Sequence, residues 1–76
     1  FHLFPNPAQN DINIESSQAF TKIELYNILG KRVLSSKGLF TNTSIDISEL
    51  QSGSYFIRLF YQNGLTSGTK LIEINK

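Results

Sequence analysis

Leu50-Gln51-Ser52-Gly53-Ser54-Tyr55-Phe56-Ile57-Arg58-Leu59-Phe60-Tyr61 decides how this 76-residue chain is read. A glycine turn launches the most apolar strand in the sequence. Successive strand side chains point to opposite faces, so Tyr55, Ile57, Leu59 and Tyr61 share one face and Phe56, Arg58 and Phe60 the other. The first set is the better core face, and the rest of the chain reads as packing around it.

Two roles are open for Tyr55. It either packs at a strand start or forms a corner, in which its hydroxyl bonds a backbone group upstream and pins the turn, as in immunoglobulin-like sandwiches. Downstream, Asn63-Gly64 is the strongest hairpin signal, because both central residues of a type I′ turn need positive φ. It joins the last strand, residues 66–75. A two-residue loop there pairs Gln62 with Leu65, Phe60 with Ser67, Arg58 with Thr69 and Phe56 with Leu71. Phe56 and Leu71 then stand together on the outer face with Phe60 further along, a candidate contact surface unless Leu39-Phe40 covers it. The same register sets Lys70 opposite Ile57 on the core side, which requires its stem to snorkel to an edge.

Upstream, Ser44-Ile45-Asp46-Ile47-Ser48 alternates cleanly. So do Lys22-Ile23-Glu24-Leu25-Tyr26, with Ile23 and Leu25 inward, and Asp11-Ile12-Asn13-Ile14-Glu15, with Ile12 and Ile14 inward. Asn27-Ile28-Leu29-Gly30-Lys31 connects to a partner strand over residues 32–36, with Gly30 supplying positive φ. Residues 1–4 form a short opening strand that Pro5-Asn6-Pro7 ends, since proline lacks a backbone donor. Residues 16–18 and 37–42 read as loops. Nothing has helical periodicity, and the expectation is an all-β fold, an antiparallel immunoglobulin-like β-sandwich of about seven short strands.

Composition narrows function. A chain this short buries only about 60% of its unfolded surface and has a stability of about 4 to 11 kcal/mol. The absence of cysteine excludes disulfides and thiolate metal sites. A net charge of +1 with only Lys31 and Arg32 adjacent makes no electrostatic case for nucleic acid or an anionic membrane. His2, the single histidine, sits at the chain's beginning without a nucleophile and an orienting group, so no enzyme is expected. Asp46 and Glu49 read as a solvated turn rather than an acid pair, and Asn6, Asn10 and Asp11 as turn chemistry rather than a calcium site. No cofactor and no small-molecule substrate are expected. Asn42-Thr43-Ser44 matches a glycosylation sequon by chance. The chain opens on Phe1 without methionine, so it is expected to be one domain cut from a longer protein.

Four pieces in order carry a resemblance that spans nearly the whole chain. They are Phe4-Pro5-Asn6-Pro7-Ala8; Ile23-Glu24-Leu25-Tyr26-Asn27-Ile28-Leu29-Gly30-Lys31-Arg32-Val33; Ile45-Asp46-Ile47-Ser48-Glu49-Leu50-Gln51-Ser52-Gly53-Ser54-Tyr55-Phe56-Ile57-Arg58; and Lys70-Leu71-Ile72-Glu73-Ile74-Asn75-Lys76. Together they resemble the type A C-terminal sorting domain of the type IX (Por) secretion system. The resemblance implies a β-sandwich that directs a periplasmic cargo through the outer membrane of a gram-negative bacterium. The implied partners are the translocon and shuttle proteins, a surface sortase that removes the domain, and cargo domains on its N-terminal side. It also makes residues 70–76 the recognised element. Gln51 stands where the family usually has proline, and Glu73 and Asn75 dilute a tail that is often more apolar and basic. The alternative is a fibronectin-like spacer or carbohydrate-binding module, in which Phe56, Phe60 or Tyr61 would stack on sugar rings.

Overall fold

In the computed structural model, which describes residues 1–5 and 8–76, five strands form one antiparallel sheet. They are β1 (His2–Phe4), β2 (Asp11–Asn27), β3 (Arg32–Asp46), β4 (Gly53–Tyr61) and β5 (Lys70–Ile74). β2 is the centre. β3 pairs along it from Asp11↔Asp46 to Tyr26↔Arg32. A strand has two edges, so β1, with Leu3↔Ile14, and β4, with Leu25↔Ile57, share the other. β5 pairs beyond β4, and its far edge meets the start of the chain. There the Ala8 amide donates to the Glu73 carbonyl at 2.9 Å and the Asn75 amide to the Ala8 carbonyl at 2.8 Å, a parallel bridge at Ala8↔Ile74. The sheet therefore curls until its ends touch.

The all-β antiparallel expectation holds, but a sandwich of seven short strands is not what forms. Residues 16–18 and 37–42, expected as loops, carry β2 and β3 onward through irregular pairing, so two pairs of expected strands fuse into two long ones. The register jumps from Glu15↔Asn42 to Phe20↔Phe40, four residues of β2 against one of β3, and such a bulge bends a strand without ending it. Thr21 is the extra residue between the pairs Phe20↔Tyr61 and Lys22↔Phe60, and its Oγ1 donates to the Phe60 carbonyl at 3.3 Å. Before it the buried apolar residues are Ile12, Ile14 and Phe20; after it they are Ile23 and Leu25. The bulge switches the parity of the inward face, so both halves of β2 feed one core.

That core joins Ile45, Ile47, Tyr55, Ile57, Leu59, Ile72 and Ile74 to the β2 residues and Ala8. Phe40 packs against it, its ring 5.6 Å from that of Phe20, while Leu39 stays 65% exposed. The expected pair therefore splits between core and solvent.

The two hairpins share one loop geometry. In the first, the Gly30 amide donates to the Asn27 carbonyl and the Asn27 amide to the Lys31 carbonyl, both at 2.9 Å; in the second, Tyr61, Gly64 and Leu65 play the same parts at 3.1 and 2.8 Å. Gly30 and Gly64 have φ of 83° and 89°, and among the described residues no other residue type has positive φ. The expected type I′ turn at Asn63-Gly64 is thus replaced by a three-residue loop with glycine in the left-handed position. Asn63 turns its side-chain oxygen to the Leu65 amide at 3.0 Å instead. The longer loop changes the nearby pairing to Phe60↔Thr66, and the Ser67 hydroxyl takes the Leu59 amide at 2.8 Å, so the last strand starts at Lys70 rather than at residue 66. Phe56↔Leu71 and Ile57↔Lys70 stand as expected.

Tyr55 takes the corner role: its hydroxyl donates to the Gln51 carbonyl at 2.8 Å across a turn that ends in Gly53, whose φ is 154°. A side chain with a Cβ is strained there. Gly53→Val should lower stability by about 1 to 3 kcal/mol, and Tyr55→Phe by about 1 kcal/mol. Urea denaturation measures both, and an unchanged midpoint for Gly53→Val would show that the turn tolerates any residue.

Candidate recognition surface

The terminal strand alternates as its sequence requires: Ile72 and Ile74 are buried at 0% and 2% exposure, while Leu71 is 54% exposed. Glu73 points outward with Leu71's neighbours, and its carboxylate accepts the Ser54 hydroxyl at 2.7 Å across the Ser54↔Glu73 pair. Lys70 does snorkel. Although it stands opposite Ile57, its ammonium reaches the chain's beginning, lying 4.5 Å over the Phe1 ring and donating to the Phe1 carbonyl. The N-terminal segment thus meets β5 at two places, Phe1 by Lys70 and Ala8 by Ile74.

The chain end is held more firmly than its position suggests. Chain ends are usually poorly tied down, yet the Lys76 amide donates to the Ser52 hydroxyl at 3.0 Å and its ammonium to the carbonyls of Ile47 and Ser48 at 3.1 and 2.6 Å. These acceptors belong to the turn that Tyr55 pins. Within it, Asp46 accepts the Ser48 amide at 2.8 Å, and the Leu50 amide donates to Ile47 at 3.0 Å. Asp46 and Glu49 are therefore not an acid pair, because the first is spent on its own turn. Hydrogen bonds from the Ser48 side chain and amide, with a smaller pull from Lys76, hold the Asp46 carboxyl below its ordinary value.

The outer face of β2 and β4 is a mesh of cations and rings. Glu24, only 5% exposed, accepts the Tyr26 hydroxyl, bonds Arg32 Nη1 at 2.9 Å and pairs with Lys22 at 3.7 Å. The Tyr26 hydrogen bond is the largest influence in lowering the Glu24 pKa, with Arg32 and Lys22 adding to it against burial. Lys22 also lies 4.2 Å over the Phe60 ring, and Arg58 lies 5.8 Å over Tyr26. Of the expected contact surface, Phe56 and Leu71 are side by side, whereas Phe60 is set apart beside Thr66 with one ring face under Lys22. Phe40 packs against the core, its ring beside that of Phe20. Tyr61 packs against the core, which leaves it a poor platform for a sugar ring.

Sequence reasoning missed Ala8, Ser52 and the Glu24 cluster. The first two have no periodic signal, and Glu24 stands opposite Ser35 in the β2–β3 ladder, with its ion-pair partner Arg32 opposite Tyr26, so no direct pairing across the hairpin points to the cluster. Pro5 follows β1 as expected, and Asn6 and Pro7 lie outside the described residues. Among the described residues no group of three metal-binding side chains converges.

With this geometry in place, comparison with known families gives a match over residues 2–75 to one described as the secretion system C-terminal sorting domain. Comparison with curated proteins gives no match.

Two depressed carboxyls predict the response to acid. A group whose folded pKa lies below its unfolded value adds stability above the unfolded pKa and loses it as pH falls through the folded one. The ordinary values are 4.5 for Glu24 and 3.8 for Asp46, so both contributions are intact at neutral pH and fade as the pH drops below that range. Glu24→Gln should cost about 1 to 3 kcal/mol at neutral pH and flatten the acid limb of a thermal-midpoint-against-pH curve. An unaltered acid limb would show that Glu24 titrates as in the unfolded chain.

Proposed function

The chain belongs to the family of secretion system C-terminal sorting domains, and from that premise we propose that it is a non-catalytic export signal read as a folded domain. In this reading it carries a cargo, attached on its N-terminal side and already in the periplasm, through the outer membrane by the type IX machinery. The translocon and shuttle proteins meet it first. A surface sortase then removes it, leaving the cargo at the cell surface or released. Residues 70–76 remain the recognised element, but as a surface fixed to the fold rather than a loose tail. The observation that carries this is the double-sided tether of the last strand, paired to β4 on one edge and to Ala8 on the other, with Lys76 seated on the 47–52 turn.

A partner meeting this domain finds Leu71 and Glu73 outward and Ile72 and Ile74 hidden. Recognition and folding are therefore separable by variant. Ile72→Asp places a charge in the core of a domain with little stability to spare and should unfold it, so its export defect says nothing about recognition. Leu71→Asp changes an exposed side chain and should shift stability by less than about 1 kcal/mol. Lys76→Met keeps the stem but removes the bonds to Ile47 and Ser48, at a cost of about 0.5 to 2 kcal/mol.

The test fuses the domain to a reporter bearing a periplasmic signal peptide in a host that has the type IX system. The intact fusion should reach the cell surface, and Leu71→Asp, folded by its melting curve, should strand the reporter in the periplasm. Surface delivery of the Leu71→Asp fusion at the level of the intact one would show that the outward side of β5 is not what the machinery reads.

A further inference from the structure

β3 is the open side of the sheet. It runs from Arg32 to Asp46 with β2 as its partner, and among the described residues no strand pairs along its far edge. Of its side chains Ile45 alone is buried. Such an edge is a template for a further strand, and folds blunt it with proline, bulges or an edge lysine. β3 has no proline, and from Leu34 to Lys37 it follows β2 without a register shift. What guards this stretch is Lys37.

Residues opposite each other in a ladder share a face, so Lys37 and Ser35 stand outward with Lys22 and Glu24, and Arg32 with Tyr26. Lys37 faces Lys22 directly, and like charges so placed repel. Lys22 leans away toward β4, with its ammonium 3.7 Å from Glu24 and 4.2 Å over the Phe60 ring. Glu24 is thus taken up by Lys22, Arg32 and Tyr26, and among the described residues Lys37 has neither an ion pair nor a hydrogen bond. Arg32 gives Nη1 to Glu24 and keeps 59% of its side-chain surface exposed. From Phe20 to Phe40 the cations Lys22, Lys31, Arg32 and Lys37 meet the single acid Glu24. The other acids of the hairpin, Asp11, Glu15 and Asp46, lie at its opposite end, in the pairs Asp11↔Asp46 and Glu15↔Asn42.

That charge decides what the edge admits. A second copy pairing along residues 32–37 brings the Lys37 and Arg32 of both chains onto one short seam, cation beside cation. A strand with carboxylates on its outward positions meets both. We propose that the 32–37 edge of β3 takes up an extended segment of another protein as an added strand, with Asp or Glu at alternate positions facing Lys37 and Arg32. Backbone bonds along the edge supply affinity, and the alternating acids supply selection. The lysine that keeps copies of this chain apart is then what attracts the partner.

This contact goes beyond the export reading and is tested on the purified, isotope-labelled chain without the secretion machinery. The probe is a short peptide alternating threonine and glutamate. It should bind saturably at low salt, shift the backbone amides of residues 32–37, and be released by high salt, because screening weakens the attraction. Two controls should not bind: the peptide with lysine in place of glutamate, and the acidic peptide N-methylated throughout, which keeps the charge and loses the backbone donors. Lys37→Glu should weaken binding at least about fivefold, while the melting temperature holds or rises because Lys22 no longer faces a like charge. No saturable binding of the acidic peptide, or equal affinity for the lysine peptide, overturns the proposal. Equal affinity for the N-methylated peptide overturns strand addition, and self-association of the chain through residues 32–37 overturns the choice of partner.

Discussion

One strand has to bury the same face twice. β2 runs from Asp11 to Asn27, and a sheet this small covers its apolar side only by curling over onto itself. Strict alternation would send Ile12 and Ile14 inward and Ile23 and Leu25 outward, because the two sets differ in parity. The extra residue at Thr21 resolves the conflict, and its hydroxyl ties the bulge to β4 through the Phe60 carbonyl. Curling then brings the start of the chain to the far edge of β5. Ala8 is wholly buried there, and its two hydrogen bonds bracket Ile74.

From that closure follows the character of the chain end. An open terminal strand would offer a row of unpaired backbone groups; here one edge holds β4 and the other holds Ala8, while Lys76 takes carbonyls from the turn next to the Tyr55 corner. Turn, corner and terminal lysine support one another at a single end of the molecule. What remains outward on β5 is a short set of side chains, Leu71 and Glu73 foremost, beside Phe56. On the proposed reading, in which this strand is the recognised element, recognition would be tied to a completed fold.

Much of this was legible. Alternation found the inward residues Ile12, Ile14, Ile23, Leu25, Ile57 and Leu59, and the pairing of Phe56 with Leu71 was right because the last strand's own period fixes its face. The ordered motifs were enough to point to the sorting family over almost the whole chain. Strand length was not legible: Ser16, Ser17 and Gln18 look like a loop by composition, yet they form a bulge that carries β2 on from Glu15↔Asn42 to Phe20↔Phe40. Asn63-Gly64 misled because a glycine in the left-handed region serves two loop types; here the backbone bonds between Tyr61 and Gly64 and between Tyr61 and Leu65, with Asn63 outside the positive-φ region, make it the three-residue one. The seat of Lys76 had no sequence signal, since its acceptors are backbone carbonyls nearly thirty residues away.

The central claim is that the chain end and the residues around Ala8 belong to the same folding unit as the middle of the sheet. Amide hydrogen exchange tests it directly by comparing the Ala8 and Asn75 amides with those of Ile23 and Ile57. If the closure is part of the fold, the Ala8 and Asn75 amides exchange only through openings close in free energy to global unfolding, and they slow together with the central amides as the domain is stabilised. Exchange of Asn75 at the rate of an unprotected amide, while Ile23 and Ile57 stay protected, would contradict it and leave the terminal segment a free tail.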